Sequence, residues 1–341
     1  MNAAGKIRRI VPAYAIPGGE VSIEVDGFRA ETSGSHAVYV DGERCRITAA
    51  SSRRVLATLP PLAANGRSTV QLETGGIESP PARITVGRLL AEGMHIVANP
   101  AVDPDDNSLI FTRSGSRGQQ LSSTMFRLEA DGYLDELSVE IMNPTGIAFS
   151  PDGELFVTNR AEGRVCRIEN GEDAIVYATG LGIATGIAFD KDGVMFVGDR
   201  SGTIYRIAEA AVMTPFAKLE PSVAAYHMAF GPDGRLYVTA PGLASYDAVY
   251  AIDSDGEVEH FFRGLGRPQG LAFDTEGKLY VAACFRGKHG IVRISPDGES
   301  AELFVSGNNV VGLCFTRNAE MIVATGDAVY SLNVGLYGTL V

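Results

Sequence analysis

Several sequence features that define common functional classes are missing from this chain. Its 341 residues contain no run of about 18 apolar residues, the length needed to span a membrane as a helix. They contain no GxSxG elbow, HExxH pair, Walker loop or dinucleotide-binding fingerprint. Matches to glycine-rich patterns fall at predicted turns. No motif therefore assigns the chain to the hydrolases, metallopeptidases or nucleotide-binding proteins that these patterns define.

Cysteine is scarce, and its spacing is not that of a metal site. Cys45, Cys166, Cys284 and Cys314 are far apart in the chain, with no CxxC or Cys/His spacing between them. Each lies in a strand-like segment. The pattern predicts four free thiols and argues against a structural zinc site or a disulfide framework.

Basic charge is also in deficit, because 29 Lys and Arg oppose 41 Asp and Glu for a formal net charge of −12. This balance disfavours nonspecific binding to nucleic acid or to an anionic membrane. An apolar content of 45% with 21% charged residues is ordinary for a globular protein. The beginning, MNAAGKIRRIVPAYAIPGGEV, has no apolar stretch of signal-peptide length. We expect a cytoplasmic protein, with export by another route left open.

What the sequence does contain is a repeat of about 40 residues between Thr145 and Phe315. The copies begin TGIAF at Thr145 and again at Thr185, YHMAF at Tyr226, QGLAF at Gln269 and VGLCF at Val311. Each copy holds short apolar runs and no helical periodicity. A period of this length is typical of a β-propeller blade.

The turns inside the copies support this interpretation. SPDGELFV, DKDGVMFV, GPDGRLYV and DTEGKLYV place Gly153, Gly193, Gly234 and Gly277 where a tight hairpin requires positive φ. The flanking apolar runs are continuous rather than alternating, as expected for strands covered on both faces by neighbouring blades.

A sixth copy precedes these five at residues 97–112, VANPAVDPDDNSLIFT. The segment LLAEG at residues 89–93 resembles the outermost strands of other blades, and the last blade lacks such a strand. We therefore predict that residues near Leu89 complete the last blade and close the ring, which removes exposed sheet edges. The propeller is assigned to residues 88–341.

Residues 1–87 lack the repeat and show shorter alternating strands punctuated by Pro-Gly-Gly, Asp-Gly and Pro-Pro. This pattern predicts a small antiparallel sandwich. The stretches IPGGEVSIEVDGF, VYVDGERCRI, VLATLPP and GRSTVQLETGGIES, with a final ITV, resemble an IPT/TIG immunoglobulin-like domain. The resemblance implies an accessory or partner-binding module. The predicted fold class is all-β, with an Ig-like β-sandwich followed by a six-bladed β-propeller.

The blades resemble NHL repeats and, more closely, the regucalcin/gluconolactonase family of six-bladed propellers. RPQGLAFDTEGKLYVAACFRGKHGIVRISPDG and NNVVGLCFTRNAEMIVATG carry most of this resemblance. It implies a divalent-metal-dependent lactone hydrolase whose Glu, Asn and Asp hold an ion over the channel. At those positions this chain has Ala98, Thr145 and Gln269, so no metal site is expected there, because hard cations prefer anionic oxygens. Backbone carbonyls in the channel could still hold Ca²⁺ or Mg²⁺ weakly.

Two rings of side chains are predicted at the channel mouth, the face where the inner strands begin and the second strands end. The first ring is Ala98, Thr145, Thr185, Tyr226, Gln269 and Val311. The second ring is Arg113, Asn159, Arg160, Asp199, Arg200, Cys284, Arg286 and Asp327. Four arginines at one mouth predict a local positive field. They favour an anionic ligand, although Arg160 and Arg200 could instead pair with acids such as Asp199 between blades.

Candidate catalytic residues are His227 and Asp199. His227 stands where other copies have glycine, and a histidine can act as a base near neutral pH. A histidine at this position can equally be a packing residue, and Asp199 can be a structural partner of the arginines. His95 and His289 lie in less regular segments, which permits a histidine cluster at the mouth.

The leading hypothesis is a non-catalytic or catalytically altered propeller that binds a small anionic molecule or a protein partner, with no nucleic acid or membrane partner. The alternative is a gluconolactonase-like lactone hydrolase, or a lyase, with a non-standard metal site. A third hypothesis is self-association through the sandwich or blade edges, and the tail at residues 335–341 could dock on the propeller or contact a neighbour. The candidate ligand-binding residues are Arg113, Thr145, Asn159, Arg160, Thr185, Arg200, Tyr226, Gln269 and Arg286.

Overall fold

The protein is all-β. A computed structural model describes residues 5–28, 36–61, 66–115, 119, 121–208, 211–243 and 246–339. Every regular element in these ranges is a β-strand, so the predicted fold class is confirmed. No helix in the described part of the chain is long and apolar enough to cross a membrane.

The amino-terminal module is a sandwich of two sheets whose strands are antiparallel except for β2 (Tyr14–Ala15). Its inner faces alternate with exposed positions, so that Val21, Ile23, Val55, Val70 and Leu72 meet in one core. The first sheet is formed by β1 (Lys6–Val11), β3 (Glu20–Asp26), β7 (Arg54–Thr58) and β6 (Arg46–Ala50). The second is formed by β2 (Tyr14–Ala15), β10 (Ala82–Val86), β8 (Gly66–Thr74), β4 (His36–Val40), β5 (Glu43–Arg44) and β9 (Ile77–Glu78).

The propeller has six blades of four antiparallel strands. Blade 1 is formed by β12 (Ala101–Val102), β13 (Leu109–Thr112), β14 (Met125–Leu128) and β15 (Leu134–Leu137). Blade 2 is formed by β16 (Pro144–Phe149), β17 (Leu155–Asn159), β18 (Arg164–Glu169) and β19 (Asp173–Ala178). Blade 3 is formed by β20 (Ala184–Phe189), β21 (Met195–Asp199), β22 (Thr203–Ile207) and β23 (Met213–Lys218). Blade 4 is formed by β24 (His227–Phe230), β25 (Leu236–Thr239), β26 (Asp247–Ile252) and β27 (Val258–Gly266). Blade 5 is formed by β28 (Leu271–Phe273), β29 (Leu279–Phe285), β30 (Lys288–Ile294) and β31 (Ala301–Ser306).

Blade 6 closes the ring with a strand from the beginning of the propeller. Its first three strands are β32 (Val310–Phe315), β33 (Glu320–Thr325) and β34 (Ala328–Asn333). The fourth is β11 (Arg88–Glu92), which pairs antiparallel with β34. This is the closure that the sequence predicted near Leu89, and it joins the two ends of the propeller through backbone hydrogen bonds.

The sandwich is joined to blade 5 by a continuous sheet. Strand β2 lies between β10 of the sandwich and β31 of the propeller and is parallel to both. The next residue, Ile16, is fully buried in the core shared by blades 5 and 6, and its N–H donates to Ser306 O at 2.9 Å. Ser306 Oγ in turn donates to Glu20 O at 2.7 Å. The sandwich therefore covers the outer edge of blade 5, an edge that would otherwise be open to pairing.

Adjacent blades are held together near the channel mouth by buried threonine hydroxyls on their second strands. Thr112 Oγ1 donates to Thr145 O at 3.1 Å, and Thr158 Oγ1 donates to Thr185 O at 2.7 Å. Thr239 Oγ1 donates to Gln269 O at 2.7 Å. Each bond connects one blade to the inner strand of the next or to the residues just before it, so it fixes the angular position of the blades around the channel.

We expect the substitution Thr158→Val to lower the free energy of unfolding by about 1–3 kcal/mol, the cost of leaving buried polar groups without partners. The hydroxyl accepts from Gly146 N at 2.8 Å and donates to Thr185 O, and valine keeps the side-chain shape while removing both bonds. Urea denaturation checks this value. Thr214→Val, at an exposed threonine, is the control. Equal stability of the two variants would contradict the inter-blade role.

The carboxyl-terminal segment docks on the face opposite the mouth. Thr275 N donates to Tyr337 O at 2.9 Å, and Thr339 N donates to Phe273 O at 3.1 Å. Gly338 and Thr339 border a central cavity of about 400 Å³ that is lined mainly by apolar side chains of the inner strands. The sequence left open whether the tail docks on the propeller or contacts a neighbour, and Tyr337 and Thr339 dock on the propeller. Leu340 and Val341 lie outside the described residues.

Candidate functional site

The channel mouth is built from the first residues of the inner strands and the last residues of the second strands. In blade 2 this register pairs Pro144 with Asn159, and in blade 3 it pairs Ala184 with Asp199. The two predicted rings therefore lie on one face of the propeller. Their side chains, however, do not all point to solvent.

Most of the first ring is packed between blades. Thr145, Thr185 and Tyr226 are 0%, 2% and 1% exposed, and Ala98 is buried as well. Thr185 Oγ1 donates to Gly198 O at 3.1 Å and accepts from Tyr226 N at 3.1 Å. Burial and the nearby Asp199 carboxylate raise the pKa of the Tyr226 hydroxyl, which donates to Glu220 O. The geometry corrects the prediction that Thr145, Thr185 and Tyr226 contact a ligand, because their side chains are enclosed by protein.

The two candidate catalytic residues are also enclosed. His227 is 5% exposed, and desolvation lowers the pKa of its imidazole to about 4. Among the described residues no hydrogen bond to its ring is found. The Asp199 carboxylate accepts from Ile183 N at 2.9 Å, from Ser201 N at 3.1 Å and from Ser201 Oγ. Asp199 thus holds two turns through backbone N–H groups, and none of the arginines in the described part of the chain pairs with it as the repeat-based alternative expected.

Asn159 has a similar structural role. It is 2% exposed, its Oδ1 accepts from Ala161 N at 3.1 Å, and its Nδ2 donates to Glu162 Oε2 at 2.7 Å. These bonds form the turn between β17 and β18. The predicted ligand contact of Asn159 is therefore replaced by a turn contact.

The arginines behave differently, and Arg160 and Arg200 form a pair. Both side chains are half-buried, one on blade 2 and one on blade 3. Burial and, secondly, the positive charge of Arg200 lower the pKa of the Arg160 guanidinium. Within the described ranges neither guanidinium has a carboxylate or hydrogen-bond partner. Two half-buried like charges on adjacent blades are thus left without a compensating carboxylate among the described residues, an arrangement that a bound anion would stabilise.

The remaining predicted arginines lie apart from this pair. The Arg113 guanidinium stacks over the Phe126 ring at 6.0 Å, on blade 1. Arg286 is exposed on blade 5 and stacks over Phe285 at 4.9 Å. The mouth therefore carries separate basic groups around its rim.

A groove of about 1350 Å³ lies over blades 4 to 6 at the same mouth. We call it the blade 4–6 groove. Strands β27 and β29 pair with each other here, through Leu265 with Phe285 and Gly266 with Cys284, and so join two blades at the rim. The polar side chains that line the groove are Tyr246, Arg267, Gln269, Cys284, Arg286, His289, Asn308 and Asn309.

The groove includes Gln269 and Arg286 from the predicted ligand-binding set, and it includes Arg267, which the sequence analysis missed. Arg267 and Tyr246 lie in loops of irregular length, where the repeat gives no register. The buried Asp247 carboxylate accepts from Gly242 N and Arg267 N, both at 3.2 Å, and so fixes two of the loops that border the groove. The sequence feature that could have indicated this groove is an arginine within each of two turn-forming segments, GRP at Arg267 and FRG at Arg286.

The side chains at the family's metal positions do not suit a divalent cation. The side chain of Ala98 offers no metal ligand, and Gln269 offers only a neutral amide. The Thr145 hydroxyl donates a hydrogen bond to Asn143 O at 3.4 Å. Nowhere in the described ranges do three His, Cys, Asp or Glu side chains lie together so that they could hold a metal ion. Because Ca²⁺ and Mg²⁺ require several oxygen ligands, usually including carboxylates, this set does not fit them. All four cysteines are free thiols.

The fold defines the class of protein as a sandwich joined to a six-bladed propeller. For the sandwich, a sequence comparison also finds a matching domain family. Residues 6–86 match the IPT/TIG domain family. No curated protein shows significant sequence similarity to the chain.

Solved structures share the fold at low sequence identity. An auxiliary nutrient binding protein from Bacteroides thetaiotaomicron has a TM-score of 0.57 and 12% identity, over 97% of this chain and 98% of that one. A gluconolactonase from Xanthomonas campestris has a TM-score of 0.59 and 16% identity, over 91% and 99%. Catalytically inactive virginiamycin B lyase from Staphylococcus aureus, with quinupristin, has a TM-score of 0.53 and 17% identity, over 92% and 98%. These similarities establish the fold.

Proposed function

We propose that this protein is a binding propeller that takes an anionic ligand at the channel mouth between Arg160 and Arg200. One observation carries the proposal: two half-buried guanidinium groups lie on adjacent blades at the mouth, and neither has a partner among the described residues, while burial and then the charge of Arg200 lower the pKa of Arg160. A carboxylate or phosphate between them would neutralise the repulsion and accept charge-assisted hydrogen bonds.

Several features support this proposal. The chain as a whole is strongly acidic, so an uncompensated arginine pair is a local departure from its average charge. The auxiliary nutrient binding protein from Bacteroides thetaiotaomicron aligns with 97% of this chain, and its name fits a binding role for such a fold.

The alternative of a lactone hydrolase or lyase receives less support from the site. Its candidate base, His227, is enclosed, and its candidate carboxylate, Asp199, is occupied by backbone N–H groups and Ser201. A general base must reach the proton that it removes, and neither side chain is open to the mouth. The donor set for a divalent ion is also missing at the family positions.

The proposal is tested by isothermal titration of the purified chain with citrate, gluconate, glucose 6-phosphate and inorganic phosphate, with glucose as the uncharged control. We expect at least one anion to bind, and its affinity to fall by about tenfold or more in the double variant Arg160→Gln/Arg200→Gln. The affinity of the wild-type protein should also fall as salt is added, because part of the attraction is screened.

The matched control is the double variant Arg67→Gln/Arg206→Gln, which removes the same charge at two exposed positions on β8 and β22. We expect it to bind like the wild-type protein. If both double variants lose the same affinity, or if no anion in the panel binds to the wild-type chain, the Arg160–Arg200 site is refuted.

A further inference from the structure

The blade 4–6 groove has a charge opposite to that of the chain. Its lining includes Arg267, Arg286 and His289, and none of the described residues that line it is an aspartate or a glutamate. The chain carries 41 acidic residues against 29 Lys and Arg, so this exclusion of carboxylates is a local property. An acidic ligand would meet a complementary potential along the groove.

Both arginines of the groove are held in a backbone conformation that arginine disfavours. Arg286 has φ of +51° and the following Gly287 has φ of +79°, in the two-residue turn that joins β29 to β30. Such hairpin turns favour asparagine, aspartate or glycine at the first position. Arg267 has φ of +48° and is also exposed. Turn chemistry alone does not account for arginine at either position, and strained residues of this kind cluster at ligand-binding sites.

The rim of the groove exposes apolar side chains as well. Leu243 is 96% exposed, Tyr246 is 67% exposed and Val223 is 46% exposed, and all three line the groove. The Tyr246 ring lies against Gly264, where an added Cβ would be 3.3 Å from Cε2. Exposed apolar groups beside a cavity mark surfaces that are covered by a partner.

We propose that the blade 4–6 groove binds an extended peptide that combines acidic and apolar side chains. Arg267 and Arg286 would pair with its carboxylates, and Leu243, Val223 and Tyr246 would contact its apolar side chains. An acidic sugar fits less well, because carbohydrate rings stack on aromatic faces but give leucine and valine little to contact. The groove also exceeds the 300–1,000 Å³ that is common for small-molecule pockets. This proposal rests on the proposed function only in placing binding at the same mouth.

The experiment is a selection of short random linear peptides, displayed on phage, against the full chain and in parallel against its Arg267→Asn/Arg286→Asn variant. Asparagine tolerates positive φ, so the variant keeps both turns and removes both charges. We expect the wild-type chain alone to enrich peptides in which Asp or Glu stands beside Leu, Ile, Val or an aromatic residue. The same peptides, synthesised and measured by fluorescence polarisation, should bind the variant about tenfold more weakly.

A second variant, Leu243→Ser, tests the apolar half of the site and should weaken the same peptides without changing net charge. Arg206→Gln, at an exposed arginine of β22, is the charge control and should leave their binding intact. The melting temperature of the asparagine variant should be unchanged or higher, which shows that the loss is not unfolding.

Enrichment of peptides without acidic residues, equal enrichment on the wild-type chain and the asparagine variant, or no enrichment would overturn the proposal. So would binding of oligogalacturonate to the groove in place of any peptide. The small-anion titrations use Arg160 and Arg200, whereas the peptide measurements use Arg267, Arg286 and Leu243. Either site can therefore fail while the other is supported.

Discussion

Replacing Gly270 by alanine is expected to lower the free energy of unfolding by about 3 kcal/mol, within the range for overpacking a rigid core and breaking buried hydrogen bonds. Gly270 lies where the inner strands of blades 5 and 6 meet blade 1. An added Cβ would clash with Asn99 Oδ1 and would be 2.6 Å from Gly312 Cα and 2.9 Å from Val311 O. Backbone atoms cannot move aside as a flexible side chain can.

The clash with Asn99 has a further cost because this side chain ties two blades together. Its Nδ2 donates to Leu271 O at 2.8 Å, and its Oδ1 accepts from Leu313 N at 3.1 Å. Moving Asn99 to make room for a methyl group would break both bonds. Urea denaturation of the variant measures the combined effect.

The matched control is Gly198→Ala, a glycine with ordinary φ whose added Cβ would be 3.1 Å from Tyr226 Cβ and 3.4 Å from Ile204 Cδ1. Here the nearest atoms belong to side chains, so we expect a loss of about 1 kcal/mol, typical of a moderate core change. A Gly270 variant as stable as the Gly198 variant would contradict the close approach of blades 5, 6 and 1.

The second large effect is a dependence of stability on pH that comes from His227. The folded-state pKa of its imidazole is about 4, because burial disfavours the charged ring, whereas an unfolded histidine has a pKa of about 6.5. Between these values the unfolded chain binds more protons than the folded chain. The contribution of His227 is therefore complete above about pH 6.5 and is lost as the pH falls towards 4. At about pH 5 the expected loss is roughly 2 kcal/mol.

Urea denaturation at neutral pH and near pH 5 measures this loss in the wild-type chain, in His227→Leu and in His260→Leu. Acid also protonates carboxylates, so the informative quantity is the difference between proteins. His227→Leu should lose about 2 kcal/mol less than the wild-type chain on acidification. His260 is exposed on β27, and its substitution should leave the loss unchanged. Identical pH dependence in all three proteins would mean that His227 is open to solvent.

Much of the fold could be predicted from the sequence because its determinants are local and repeated. The Asp-Gly turns recur at nearly constant spacing, and Gly153 has the positive φ, +83°, that the turn pattern required. The strand near Leu89 was predictable because blade 6 lacked an outer strand, whereas Leu89 lay in a strand-like segment that belonged to no other blade. The join between β2 and β31 was not predictable, since a two-residue strand carries no period.

The site was harder to predict because the repeat gives a residue's position along a strand but not the direction of its side chain. Thr145, Thr185 and Tyr226 lie at the height of the mouth, yet the twist of the blades turns them into the inter-blade contacts. His227 is enclosed for the same reason. Arg160 and Arg200 could be predicted because they follow the last strand residues, where the chain turns towards solvent.

The blade 4–6 groove depends on features outside the repeat. Arg267 and Tyr246 lie in loops that vary between blades, and Asp247 acts on them from the first residue of β26. Backbone φ values identify Arg267 and Arg286 as unusual, and a sequence does not report these angles.

The central claim, that Arg160 and Arg200 together hold an anion, is tested most directly by NMR of the arginine Nε–Hε groups. The single variants Arg160→Gln and Arg200→Gln assign the two signals, and the wild-type chain is then titrated with citrate, gluconate, glucose 6-phosphate and phosphate. We predict that one of these anions moves both signals together, with the same saturating dependence on its concentration. Signals that stay fixed with every anion, or that shift independently and without saturation, would contradict the account.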